Sequence, residues 1–144
     1  MMDTILVSTD QAKLDLAVIH EFLSRSYWAE GIPLEVMEKS LAHSLCFGVY
    51  ERDRQIGFAR VISDFATYAY LADVFILESH RGRGLAKLLM REIMSHPELQ
   101  GLRRFTLATR DAHGLYKQFG FAELARPDRH MEIARPGIYQ QKES

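Results

Sequence analysis

Between Tyr68 and Pro97 the chain leaves little freedom of architecture. Tyr68 to Leu77 is an almost unbroken apolar run with a single acid in it, Asp73, and such a run reads as a strand covered on both faces. Glu78-Ser79-His80-Arg81-Gly82-Arg83-Gly84 interrupts it, after which Leu85, Leu88, Leu89 and Ile93 recur at helical spacing until Pro97 stops them. Arg104 to Thr109 alternates as the next strand. A strand-helix-strand crossover of this kind needs helical layers over its sheet.

The flanking sequence supplies the rest of the sheet. Ile5-Leu6-Val7 is a short strand, and Ser8-Thr9-Asp10 offers an N-cap to a helix whose apolar stripe is Leu14, Val18 and Phe22 and which ends near Tyr27-Trp28. Pro33 suits the first turn of a second helix through Leu34, Met37 and Leu41. Leu45, Phe47 and Val49 alternate, Glu51-Arg52-Asp53-Arg54 is turn material, and Gln55 to Ile62 resumes a strand pattern, which together predict an antiparallel hairpin. His113 to Phe119 reads as a short helix closed by Gly120, with final strands at Phe121 to Leu124 and Met131 to Ala134. The expected class is α/β, a mixed sheet with helices on both faces.

Length and charge narrow the function classes. The 144 residues suit one domain over 1–144, able to bury about two thirds of its extended surface without a metal or disulfide staple. A net charge of −1 lacks the basic excess of a nucleic-acid binder. Cys46 is the only cysteine, so no internal disulfide and no cysteine-rich zinc site can form, and histidines 20, 43, 80, 96, 113 and 130 show no ligand spacing. No apolar run reaches the length of a membrane span, and the early Asp3 does not suit a signal peptide. The expectation is a cytoplasmic protein with neither membrane nor nucleic-acid partners and no metal.

The glycine loop is the most informative local feature. Glycines 82 and 84 let backbone approach a ligand closely, consecutive amides entering a helix N-terminus attract an anion, and Arg81 and Arg83 add positive charge. The group suits a pyrophosphate; it also reads as a tight turn with two solvated arginines. A P-loop would need four residues between its glycines and a following Lys-Ser/Thr, and a dinucleotide fingerprint would want a small residue at Lys87.

Arg81-Gly82-Arg83-Gly84-Leu85-Ala86 is similar to the Gln/Arg-x-x-Gly-x-Gly/Ala loop of the GNAT superfamily of N-acetyltransferases. The preceding strand, Asp73-Val74-Phe75-Ile76-Leu77, and Leu115-Tyr116-Lys117-Gln118-Phe119-Gly120-Phe121, which resembles the family's Leu-Tyr-x-x-x-Gly-Phe signature, extend the likeness over essentially the whole order of elements. Tyr27 to Pro33 and Asp111-Ala112-His113 resemble a bacterial subgroup and leave the acceptor unassigned. The resemblance implies the GNAT fold, with a central twisted sheet that is mixed but mostly antiparallel, and acetyl-CoA as cosubstrate. Backbone of Phe75, Ile76 and Leu77 would pair with pantetheine, the amides of Arg81 to Ala86 would hold the pyrophosphate, and Tyr116 would stand beside the thioester sulfur as general acid. Thr109 occupies the place of a family asparagine that contacts the cofactor, and Glu78 replaces a frequent proline.

An alkylammonium must lose a proton before it attacks a thioester, so a carboxylate or water ordered by one should face the site. Asp73 is the candidate base, because burial in an apolar strand would make its carboxylate a better proton acceptor; a carboxylate satisfied by a neighbouring loop is the other reading. Tyr27, Trp28 and Tyr70 are candidate walls of an acceptor cleft, holding a cationic amine on their ring faces; Tyr27 and Trp28 could instead close a seam between the first two helices. These residues predict transfer of an acetyl group to a primary amine of a small molecule by direct attack in a ternary complex. A peptide or protein acceptor, or a non-catalytic CoA-binding regulatory module of the same fold, is the alternative, and a homodimer is compatible with all three.

Overall fold

The computed structural model describes residues 4–140. Five strands, β1 (Ile5–Ser8), β2 (Leu45–Glu51), β3 (Arg54–Ser63), β4 (Tyr68–Ile76) and β5 (Arg104–Leu107), lie side by side in chain order. The first four run antiparallel, and β5 runs parallel to β4. Helices α1 (Leu16–Ser24) and α2 (Leu34–Ala42) precede the hairpin, α3 (Leu85–Ser95) makes the β4-to-β5 crossover, and α4 (His113–Lys117) follows β5. Mixed α/β architecture with a mostly antiparallel sheet agrees with the expectation.

Strand alternation divides the core in two. One face of the sheet turns Phe47, Val49, Ala59, Val61, Ala69 and Leu71 toward Leu85, Leu89, Met90 and Ile93 of α3 and Tyr116 of α4. The opposite face turns Cys46, Phe58 and Phe75 toward Ile19 and Leu23 of α1 and Met37 and Leu41 of α2. Cys46 is a core residue, its thiol pushed up to about 11 by burial, and Met90 is packed within the α3 face.

Helix α1 begins later than its capping pattern suggested. Asp10 caps only a 3₁₀ turn at Gln11–Lys13, and the chain is extended at Leu14. Asp15 provides the cap, its Oδ1 accepting from the Val18 amide at 3.1 Å, while its own amide donates to Gln55 Oε1 at 2.7 Å. Gln55 is buried in β3, so a tertiary contact sets where this helix starts. The helix also ends at Ser24, ahead of Tyr27-Trp28.

The two closing strands expected from sequence do not form: Phe121 to Leu124 and Met131 to Ala134 have no ladder partner, and every residue from 122 to 140 is exposed. Their alternation suits a strand, but a strand exists only against another strand, and the outer edge of β5 is unpaired.

Candidate active site

A bulge in β4 creates the cleft. Arg60 pairs with Ala72 and Phe58 with Phe75, so Asp73 and Val74 together face Ala59. Asp73 sits at φ 56°, a left-handed conformation that aspartate tolerates better than most residues. The extra residue reverses the alternation of side chains: Ala69 and Leu71 face α3, whereas Phe75 faces α1 and α2. Bulges also bend a strand, and β4 and β5 pair only from Tyr68–Arg104 to Leu71–Leu107. From Ala72 to Ile76 the β4 edge toward β5 carries no strand, which leaves backbone donors and acceptors open to an extended ligand. Phe75 and Ile76 themselves are core side chains, so they can serve such a ligand only through their backbone.

The loop after β4 is built to expose amides. Gly82 and Gly84 have φ 80° and 74°, with open space where a side chain would start. The amides of Gly82, Arg83 and Gly84 make no backbone hydrogen bond among the described residues, and Leu85 and Ala86 open α3, whose first amides have no intrahelical partner. The two arginines are not the free cations their sequence suggested. Arg81 Nε donates to the Ile76 carbonyl at 3.0 Å, and Arg83 Nη2 donates to Glu51 Oε2 at 2.8 Å. Glu51 also meets the buried His80 at 3.0 Å, and Arg83 and His80 together lower its pKa. Both arginine side chains stay exposed, and each ties the loop to a neighbouring strand through one hydrogen bond.

Tyr116 is buried in α4, and its hydroxyl has no hydrogen-bond partner among the described residues. Burial, reinforced by Tyr27 and Asp111, pushes this phenol up to about 12, so it stays protonated at neutral pH and is a donor rather than a base. Thr109 is committed locally, its Oγ1 accepting from the Ala112 amide at 3.1 Å as the chain turns into α4.

Asp73 is a partnered carboxylate, one of its two partners coming from a neighbouring loop. Its Oδ2 accepts from Arg60 Nε at 2.7 Å and its Oδ1 from Trp28 Nε1 at 2.8 Å. The Arg60–Asp73 pair is largely buried, and Arg60 also donates to Ser44 Oγ at 3.2 Å. Tyr27 and Trp28 are exposed and meet edge to face at 5.1 Å. The Tyr27 ring face is occupied by the Arg110 guanidinium, 3.9 Å from the ring centroid, so that face cannot also take an amine. Tyr70, half-buried beside Asp73, Arg60 and Tyr27, has its phenol raised by burial.

Three of these residues were missed in the sequence. Arg60 had a signal, as the one base between Gln55 and Ile62, matching the one acid in the next strand. Glu51 looked like turn material, and nothing local marks Arg110.

A free β4 edge, an amide loop at a helix start and a buried tyrosine meet at one parting of strands. The sequence model of the Acetyltransferase (GNAT) family matches residues 16–121. The chain belongs to this family. Its acetyltransferase relatives include a "putative acetyltransferase" of the GNAT family from Xanthomonas campestris, 54% identical, with a TM-score of 0.94 over 95% of this chain and 97% of that one; a match of that length runs into the exposed tail after Phe121. A "putative acetyltransferase" of Gibberella zeae is 34% identical over 77% of this chain and 75% of its own. A "predicted acetyltransferase with acetyl-CoA" from Clostridium acetobutylicum shares the fold, with a TM-score of 0.67, 16% identity, and coverage of 90% and 96%. As a GNAT member the protein is an acetyltransferase, and none of its described helices is long and apolar enough to cross a membrane.

Proposed function

We propose that this GNAT protein transfers an acetyl group from acetyl-CoA to the primary amine of a small molecule, by direct attack within a ternary complex. The observation that carries the reading is the parting of β4 and β5 after Leu71–Leu107, with the amide loop at one end and Tyr116 beside it. The cosubstrate supplies an activated thioester. Backbone of Phe75 and Ile76 binds its pantetheine as an added strand, whereas the Leu77 amide and carbonyl are taken by Ile56 and His80; the amides from Gly82 to Ala86 take its pyrophosphate, the Arg81 amide being bonded to the Glu78 carbonyl. The Tyr116 hydroxyl donates a hydrogen bond to the sulfur as negative charge grows there. Full proton transfer from a phenol near 12 to a thiolate near 8.5 is uphill by several kcal/mol, so the stabilisation acts in the transition state.

Asp73 keeps lone pairs beyond those shared with Arg60 and Trp28, enough to orient an incoming amine. With Asp73 matched by Arg60, Arg110 over the Tyr27 ring is a cation without an ion pair among the described residues. That balance favours an acceptor with a carboxylate or phosphate near its amine over a polyamine. Thiol release with acetyl-CoA across a panel of amines, with and without an acidic group, tests the reading. Turnover of an anionic amine supports it; micromolar acetyl-CoA binding without turnover on any amine points to a regulatory module, and turnover confined to peptides moves the acceptor class.

A further inference from the structure

One carboxylate at the end of β2 holds two points of the amide loop. Glu51 is the last residue of β2 and is paired on both sides, with Ile5 of β1 and Arg54 of β3, so its backbone is fixed within the sheet. Its Oε1 lies 3.0 Å from His80 Nε2, and its Oε2 accepts from Arg83 Nη2 at 2.8 Å. His80 is buried ahead of the glycines, and Arg83 stands between them. An ionised carboxylate only accepts, so the imidazole donates from Nε2. The other ring nitrogen, Nδ1, meets Ser79 Oγ at 2.7 Å.

The loop needs such a tie. Gly82 and Gly84 lie at φ 80° and 74° with open space where a side chain would start, and glycine gives up more backbone freedom on ordering than any other residue. No backbone hydrogen bond among the described residues fixes the direction of the Gly82, Arg83 and Gly84 amides. Arg81 ties the loop back to its own strand, at the Ile76 carbonyl. The two bonds to Glu51 are the ones that reach across to β2, and Arg83 carries one of them from between the glycines.

Electrostatics alone would give Glu51 the opposite effect. A carboxylate beside a pyrophosphate site repels the ligand, and it neutralises an arginine that would otherwise attract it. We propose that Glu51 is a positioning residue for the cofactor: through His80 and Arg83 it holds the stretch from His80 to Gly84 in the shape that receives the pyrophosphate. Coulombic attraction is given up for a preorganised cradle. This inference rests on the reading of the loop as the acetyl-CoA site.

Calorimetric titration of the full chain with acetyl-CoA separates geometry from charge, because Glu51→Ala and Glu51→Gln remove the same charge and leave different hydrogen bonds. Glutamine keeps both ties: its carbonyl oxygen accepts from Arg83, and its amide group donates to His80 Nε2 once the ring proton sits on Nδ1, facing Ser79 Oγ. Glu51→Ala should bind about tenfold more weakly than wild type, and Glu51→Gln within about threefold of it. Arg83→Ala, at an exposed position, should also weaken binding. The double variant Glu51→Ala/Arg83→Ala should be no weaker than Glu51→Ala alone, since the arginine acts through the carboxylate. Tighter binding in Glu51→Ala and Glu51→Gln alike would make the carboxylate a charge screen and overturn the proposal, as would equal weakening in both or additive losses in the double variant. Equal affinity of wild type and Glu51→Ala for acetyl-CoA overturns the proposal and leaves the functional reading standing; a wild type without affinity for acetyl-CoA overturns both.

Discussion

The two halves of the candidate site are built from different materials. The loop from Arg81 to Ala86 works through backbone: its glycines supply two left-handed conformations, the amides of Gly82, Arg83 and Gly84 have no backbone partner among the described residues, and its exposed arginines are hydrogen-bonded to Ile76 and Glu51. The acceptor side works through side chains, with Trp28, Arg60, Asp73 and Arg110 contributed by a loop, two strands and a second loop. Consecutive amides can be delivered by one short stretch whose requirements are local. A charged, aromatic cleft needs partners that only folding brings together, so each of its members is tied to the others.

The contrast can be broken at several points, most severely in the loop. Gly84→Glu should weaken acetyl-CoA binding by about 100-fold or more, since it forces a side chain onto φ 74° and sets a carboxylate against the pyrophosphate. Lys87→Glu, exposed in the first turn of α3, should cost about tenfold with no change in backbone. Calorimetry on the folded variants reads both, and unchanged affinity in Gly84→Glu would remove the loop from the cofactor site.

Tyr116→Phe should lower kcat by about 10²-fold with acetyl-CoA affinity preserved. A phenol raised to about 12 remains protonated as pH climbs through 8 to 10, so Tyr116 contributes no alkaline limb in that range. Wild type and Tyr116→Phe should therefore share the same alkaline limb in pH–rate profiles; a limb that vanishes in the variant assigns it to Tyr116 after all.

On the acceptor side the effects should be coupled. Asp73→Asn or Arg60→Met leaves a largely buried charge without its partner, a loss of about 3 kcal/mol and of order 10 °C in melting temperature. The double variant should lose less than the sum. If Asp73→Asn alone abolishes the acidic limb of the rate profile while Arg60→Met keeps it, Asp73 is the base rather than an orienting group. The smallest effect is expected from Arg110→Ala, a rise of about three- to tenfold in KM confined to acceptors carrying an acidic group; an equal rise for uncharged amines would make Arg110 a packing partner of Tyr27.

How far the site was legible follows the same division. The loop and Tyr116 stand out in sequence because their spacing is short and their residue types are unusual. Asp73 stood out as the lone acid of its strand, but the sequence left open whether it is an unpaired base or is satisfied by a neighbouring loop; a bulge turns it to the face carrying Arg60 and Trp28. Tyr27 was read as a face for a cation, and it holds one, but the cation is Arg110 of the same chain.

The sequence alone determined the order of elements, the strand-loop-helix unit and the two-sided core, because periods of two and near four in apolar residues record which face each element buries. Tertiary structure decided the start of α1, through the bond from Asp15 to Gln55, and the partners of Asp73, through one extra residue in β4. It also decided that Phe121 to Leu124 and Met131 to Ala134 remain unpaired within the chain. Alternation makes a segment fit to be a strand, but pairing is a relation between two segments, and no periodicity within one of them specifies where the other lies.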